Sequence, residues 1–466
     1  MKRDFADFGA LLGRVAEEHG VPGLAVAAMV QGQVAYVGTH GWRDRERGLP
    51  MTESTPSRWY SISKPITALA LGQLVAQGKL RWGDPVSRLV PGVRFADPVA
   101  TERADIRDCL LHRTGLPDGN WTWWLAPSDP LELLRRLPHL PCSAGFRSGH
   151  HYQNLGFTIL GEVFKACGTT WHEAIHALLE PIGIRPLTRL AEFAGADRMV
   201  GYGPNGFSPA RRSDDFDFEA IAPASAVCGT ILELAKLGNA LAYDGKGLLP
   251  PSVWAEVVRP ELALPGPGWD AMLHPAVAMA GRSLVYRGEI VLHWTGGWQG
   301  YTSHLLAMPS RRLVACTLTN RTSSNAADLL AFSLLDRAAG WEPLPWAERY
   351  LNSKRTHRQK AEERVKELLS RPRRSWWAPD ACGRFHHPGY GDLVVAWPDR
   401  LRFRGIDLTL LALADGRFTA VSDGLDIGEF SFDVSPELVD GRVVAWHGNP
   451  DPHGQSCRFE RRSGGE

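Results

Sequence analysis

Three short stretches hold residue types able to carry out acyl transfer. The first is Ser61-Ile62-Ser63-Lys64, at the head of the apolar run WYSISKPITALALGQLVAQGK (59–79). A serine hydroxyl is a poor nucleophile until a base takes its proton. A lysine three residues further on stacks over the serine on one helical face, and it is a base once it is neutral. Burial and nearby positive charge, the positive end of a helix included, favour that neutral form. The same helix start presents the Ser61 backbone N–H to a developing oxyanion. The second stretch is Tyr152-Gln153-Asn154, immediately before the apolar run LGFTILGEV. A phenol beside a buried lysine is polarised and can pass a proton to a leaving group. Asn154 can hydrogen-bond a substrate amide or hold Lys64 in place. The third is HWTGGWQGY (293–301), whose glycines let a strand meet substrate closely. There the backbone N–H of Gly297 can act as a second oxyanion donor.

These stretches need elements to position them. Ile66, Leu69, Ala70, Leu74 and Val75 recur at helical spacing behind Ser61, so a buried helix is expected there, ended by Gly83-Asp84-Pro85. Phe5, Phe8, Leu11, Leu12 and Val15 mark an N-terminal helix. GLAVAAMV (23–30) and QVAYVGTHGW (33–42) read as a hairpin turning at Gln31-Gly32, with a polar loop over 43–58. Residues 105–242 read as mostly helical, with apolar helices at 155–180 and 224–242. A loop carries Trp121, Trp123 and Trp124. That trio either covers the core or walls an apolar substrate pocket. Strand character returns over 283–319, with turns at Arg287-Gly288 and Pro309-Ser310, and a helix closes at 324–340. The pattern implies one discontinuous α/β domain, an antiparallel sheet flanked by helices with an all-helical insertion, over 1–340. A charged helical linker follows (341–377). The short alternating runs of 378–466 read as a separate all-β barrel.

Composition narrows the function. The chain has 466 residues, 44% hydrophobic and 22% charged, with a net charge of +1. That is an ordinary globular balance, without the basic excess of a nucleic-acid binder. No run of about 18 apolar residues suggests a membrane span. The seven cysteines are dispersed and lack any C-x-x-C pair, so neither a disulfide framework nor a zinc knuckle is expected. The N-terminus is charged where an export signal needs an apolar core, and a reducing, cytoplasmic location is expected.

The ordered set S-I-S-K, Y-Q-N and W-T-G resembles the serine β-lactamase and penicillin-binding-protein family, nearest its class C-like hydrolases, which include esterases and D-aminopeptidases. The segments LVAQGKLRWGDPVSRLVPG, DIRDCLLHRTGLP, PASAVCGTILELAKLGNAL and GGWQGYTSHLLAMP fit the same family over about residues 8–340. The tail GRFHHPGYGDLVV resembles the lipocalin-like barrel often appended to such hydrolases. The resemblance implies a serine β-lactamase-like fold, with Ser61 the acylated nucleophile, Lys64 its base and Tyr152 the second acid/base. It makes Asn154 a positioning residue and Ser61 with Gly297 the oxyanion pair. His293, Trp294, Gly296, Gly297 and Trp124 are the further substrate-binding candidates. In the family the third motif usually begins with Lys or His; here Trp294 takes that place and His293 precedes it. A tryptophan there argues against a β-lactam carboxylate and for apolar acyl groups.

Other motifs compete weakly. HEAIH (172–176) matches a zinc-protease pattern, but Leu179 and Ile182 stand where its extension needs glycine and histidine. A second Y-x-N at Tyr350 falls in the linker. No G-x-S-x-G elbow occurs. The expectation is a serine hydrolase of an ester, amide or peptide that needs neither metal nor cofactor, and binds neither nucleic acid nor membrane. An acyltransferase or peptide cyclase would use the same residues, and a silent binding protein would keep only the fold.

Overall fold

In a computed structural model the chain is described over residues 4–124, 129–203, 210–265 (except 214), 272–346 (except 323) and 381–462 (except 414–416, 423–430 and 452–454), with isolated positions between 348 and 370. The helical linker expected over 341–377 lies mostly outside the described residues.

Helix α1 (Phe8–His19) ends at Gly20 and leads into the hairpin of β1 (Gly23–Val30) and β2 (Gln33–Asp44). Every residue of β1 is buried, as expected of an unbroken apolar run at the centre of a sheet. The polar stretch after β2 is not all loop. It holds a short strand, β3 (Leu49–Pro50), and buried Ser57 and Arg58. The sheet continues late in the chain with β4 (Leu262–Ala263), β5 (Met272–Ala278), β6 (Gly281–Tyr286), β7 (Glu289–Trp298), β8 (Tyr301–Met308) and β9 (Leu313–Thr319). All nine pair in the order β3-β2-β1-β9-β8-β7-β6-β5-β4, antiparallel throughout.

The sheet separates two apolar layers. Phe8, Leu12, Leu24, Val26, Leu306, Phe332 and Leu335 pack on one side, with α1 and the C-terminal helix Ala326–Ala339. The other side packs against α2 (Ser63–Ala76) and the helical insertion. Helix α2 is buried around almost its whole circumference, which is the state of a helix that is apolar on all sides. The insertion includes α3 (Ile106–Leu110), a single turn α4 (Asn120–Trp123), α5 (Leu155–Ala166), α6 (Trp171–Leu179) and α7 (Ile231–Ala242).

Beyond the linker, eight antiparallel strands close a barrel: β10 (Gly383–His387), β11 (Gly391–Ala396), β12 (Arg400–Phe403), β13 (Ile406–Ala412), β14 (Phe418–Ser422), β15 (Ser431–Val439), β16 (Arg442–Gly448) and β17 (Cys457–Arg461). Phe385, Leu393, Leu401, Phe403, Leu408 and Phe459 are buried at alternate positions along these strands, as the inward face of a small barrel requires. Among the described residues no helix is long and apolar enough to cross a membrane.

Candidate active site

The nucleophile turn comes first. Tyr60–Ile62 form one 3-10 turn running into α2, and Ser61 sits on it, half-buried. Three bonds fix this turn. Trp59 N–H donates to Val227 O at 2.9 Å. Trp59 Nε1 donates to Gly229 O at 3.1 Å. Ser303 Oγ on β8 donates to Trp59 O at 2.7 Å. Strand β7 runs directly alongside. A Cβ added to Gly296 would collide with Trp59 O and lie 2.8 Å from Ser61 N, so only glycine lets strand and turn approach this closely.

Lys64 Nζ lies 3.0 Å from Ser61 Oγ and donates to Ala224 O at 3.2 Å. The side chain is 4% exposed. Burial lowers its pKa, Tyr152 pulls it back up, and Arg282 pushes it down; the net direction is down. The fold therefore supplies the physical condition that a lysine base requires. Tyr152 opens to the cleft, 38% exposed, with Lys64 Nζ 4.7 Å from its ring centre. Crowding raises the phenol pKa, but the charge of Lys64 and hydrogen bonds with Lys64 and Ser61 outweigh this, and its pKa is lowered. Serine, lysine and tyrosine thus share one hydrogen-bonded cluster.

The cluster opens into a cleft of ≈ 300 Å³ lined by Ser61, Lys64, Tyr152, His293, Trp294, Thr295, Gly296 and Gly297. Trp294 is 2% exposed and packs on β6, where a Cβ on Gly281 would lie 2.5 Å from its Nε1. His293 borders the cleft, but its ring stacks 4.7 Å from His304, which pairs with Asp328 at 3.0 Å. Burial and His304 push His293 down to about 3 against the pull of Asp328, so it brings no charge to the cleft at neutral pH.

Two expectations need correction. Trp124 does not line the cleft, and neither do Trp121 and Trp123. All three are buried. Trp123 and Trp124 pack on Trp298 with centroids 5.4 and 5.9 Å away, and Trp121 packs on the barrel. Asn154, for its part, does not hydrogen-bond Lys64. Its Nδ2 reaches Asn120 Oδ1 at 3.5 Å, and its own Oδ1 is buried without a partner. A substrate N–H entering beside Tyr152 would meet that acceptor.

Other residues reach the site unannounced. Arg282 on β6 borders the cleft, its guanidinium 5.7 Å from the Tyr152 ring centre, and no carboxylate pairs with it among the described residues. His112 stacks 4.6 Å from Tyr152 and 5.1 Å from His150. Burial, then His150, Lys64 and Arg282, drive His112 well below its usual range, and burial lowers His150 too. Both rings are neutral walls of the cleft at neutral pH. His112 lies in DIRDCLLHRTGLP, where the end of α3 was the only signal; nothing local marks Arg282.

The zinc-like motif has a structural use. His172 meets Thr188 Oγ1 at 3.0 Å and Glu219 Oε1 at 2.9 Å, while Glu173 completes a capping box with Thr170.

A turn bearing Ser61, wedged between an antiparallel sheet and a helical insertion with Lys64 and Tyr152 beside the hydroxyl, fits the class of serine hydrolases. The comparisons agree. Residues 4–340 match the sequence profile of the Beta-lactamase family, and the chain belongs to that enzyme family. It is 25% identical over 440 residues to "Unguisins hydrolase ungD'" of Aspergillus campestris, covering 84% of this chain and 78% of that protein. It is 33% identical over 203 residues to "Esterase EstB" of Burkholderia gladioli, covering 39% of this chain and 50% of that one. The octameric penicillin-binding protein homologue from Pyrococcus abyssi shares the fold, with a TM-score of 0.67 at 19% identity over 98% of this chain and 99% of the other.

Proposed function

We propose that this protein hydrolyses an ester or amide bond through a covalent acyl-enzyme on Ser61. The observation that carries the reading is Lys64 Nζ at 3.0 Å from Ser61 Oγ in a buried setting that disfavours the ammonium. Neutral Lys64 takes the hydroxyl proton as Ser61 Oγ attacks the carbonyl carbon. The oxyanion forms against the backbone N–H groups of Ser61 and Gly297. Tyr152 delivers a proton to the departing oxygen or nitrogen. Lys64 passes the proton it took to Tyr152, which restores both groups. Water then attacks the acyl carbonyl carbon, losing its proton to this pair, which gives a proton to Ser61 Oγ as the acyl–oxygen bond breaks. We assign this chemistry to residues 1–340 and a separate body to 378–466.

Arg282 refines the substrate. Trp294 replaces the cation expected at the head of the third motif, but Arg282 returns a positive charge to the same cleft. The reading is a substrate with an anionic group near the leaving atom, in place of the purely apolar preference that Trp294 alone implies. A charge-assisted hydrogen bond contributes about 1.5–3 kcal/mol. Arg282→Met is therefore expected to lower kcat/KM for a carboxylate-bearing ester about 10- to 100-fold, with a neutral ester little changed. The check is steady-state kinetics on a matched pair of nitrophenyl esters. Equal losses on both would remove the anion from the reading. Absence of any Ser61-dependent turnover across esters, amides and peptides would remove the hydrolase itself.

A further inference from the structure

The barrel grips a single helical turn of the catalytic body by its carbonyls. Helix α4 is too short to satisfy its own termini: four residues leave orphan N–H groups at the start and orphan carbonyls at the end. The barrel meets the carbonyls. Arg404, at the tip of the turn joining β12 to β13, donates from Nε to Trp121 O and from Nη2 to Thr122 O, each at 2.7 Å. Asp451 is buried at 1% exposure, receives the Tyr390 hydroxyl, and lies near the start of the turn, at Gly119 and Asn120. Between these contacts the Trp121 ring lies 5.1 Å from Phe403 and 6.0 Å from Phe432, within the apolar interior of the barrel. The contact half-buries Arg404 and buries Asp451, which is unfavourable unless such groups are hydrogen-bonded. Burial, then Arg136, brings Arg404 down to about 10, and burial brings Asp451 up to about 6.

The other side of α4 faces the active site. Asn120 receives Asn154, two residues after Tyr152. Trp123 and Trp124 pack on Trp298, the residue after Gly297. Trp123 also packs 6.1 Å from Phe218, which stands edge-on to Tyr60, the neighbour of Ser61. One turn of helix therefore touches the flanks of all three motifs, and the barrel holds it there.

We propose that the barrel is a clamp on α4, and that Arg404 is a positioning residue for the cleft. The kinetic part rests on the hydrolase reading above; the clamp does not. The test uses the full-length chain. Arg404→Met keeps most of the aliphatic stem and removes both donors, Arg404→Lys restores one, and Trp121→Ala empties the apolar contact. Hydrogen exchange is read by mass spectrometry. In Arg404→Met the amides of 118–124 should exchange about tenfold faster or more, with a smaller gain at 152–156 and none in the C-terminal helix Ala326–Ala339. Arg404→Lys should recover part of the protection. In kinetics, a nitrophenyl ester with a bulky acyl group should lose several-fold in kcat/KM, mostly through KM, while the acetyl ester stays within about twofold. Unchanged protection of 118–124 in folded Arg404→Met and Trp121→Ala would overturn the clamp. Faster exchange there with both esters unchanged, or equally impaired, would overturn the positioning role. If the unaltered protein turns over no ester, amide or peptide, the hydrolase reading fails and the exchange arm still decides the clamp.

Discussion

Lys64 and Tyr152 titrate as one cluster, and that cluster sets the pH dependence. Burial lowers the lysine below its ordinary 10.5, and the lysine and serine lower the phenol below 10. Acylation needs neutral Lys64, so its rate should climb as pH rises through the lowered lysine pKa, well before pH 10.5. An amide also needs the Tyr152 proton for its leaving nitrogen, so its rate should fall again as pH rises through the lowered phenol pKa. The two limbs belong to the pair and are not divisible between the residues. A stopped-flow pH series with an activated ester and an anilide should give a rising curve for the first and a bell for the second. Lys64→Ala should abolish the rising limb, and Tyr152→Phe should move the ester's rising limb to lower pH, because the phenol holds the lysine pKa up, while suppressing the bell. A flat profile in the unaltered enzyme would contradict Lys64 as base. Ser61 and Lys64 were legible as a pair because three residues on a helix bring them together, whereas Tyr152 joined them only through the family resemblance. Arg282 was not legible. Its place depends on β6 pairing with β7, which sets Arg282 opposite His293, and no local pattern announces that neighbour.

At the scale of elements, the approach of β7 to the nucleophile turn is the critical contact. The hairpin at 31–32, the strands of 283–319 and the closing helix were readable from alternation, helical spacing and turn residues. So was the barrel, whose strands alternate for the same reason. The tryptophan loop left two readings open, core cover or pocket wall, and it is buried as core cover. Its three rings have the composition of a substrate wall, but Trp121 packs on the barrel while Trp123 and Trp124 pack on Trp298. Gly296→Ala tests the β7 contact. The added methyl would meet Trp59 O and Ser61 N, and overpacking of this kind costs about 1–3 kcal/mol. Thermal melting should fall by several degrees, and acylation should drop by about 10²-fold because the reacting groups shift apart. Wild-type acylation in a folded Gly296→Ala protein would show that strand and turn need not touch.

For the molecule as a whole, the proposed chemistry is carried by side chains and backbone N–H groups without a metal. His172 and Glu173 of HEAIH are spent on hydrogen bonds and a helix cap. The described three-donor group, His293, His304 and Asp328 within 4.8 Å, pairs its second histidine to the carboxylate and stacks its two rings. Activity should therefore survive exhaustive chelation, measured as turnover before and after dialysis with elemental analysis of the protein. Loss in chelator that added zinc restores would move the chemistry to one of these histidine groups.

The central claim is a covalent bond to one atom, Ser61 Oγ, and intact-mass spectrometry reads it directly. The full-length protein is quenched in acid seconds after mixing with a nitrophenyl ester, and the adduct is mapped by peptide digestion. The account predicts one acyl group per chain on the peptide containing Ser61, and none in folded Ser61→Ala. An adduct of the same stoichiometry that persists in Ser61→Ala, or that maps to another residue, would contradict it.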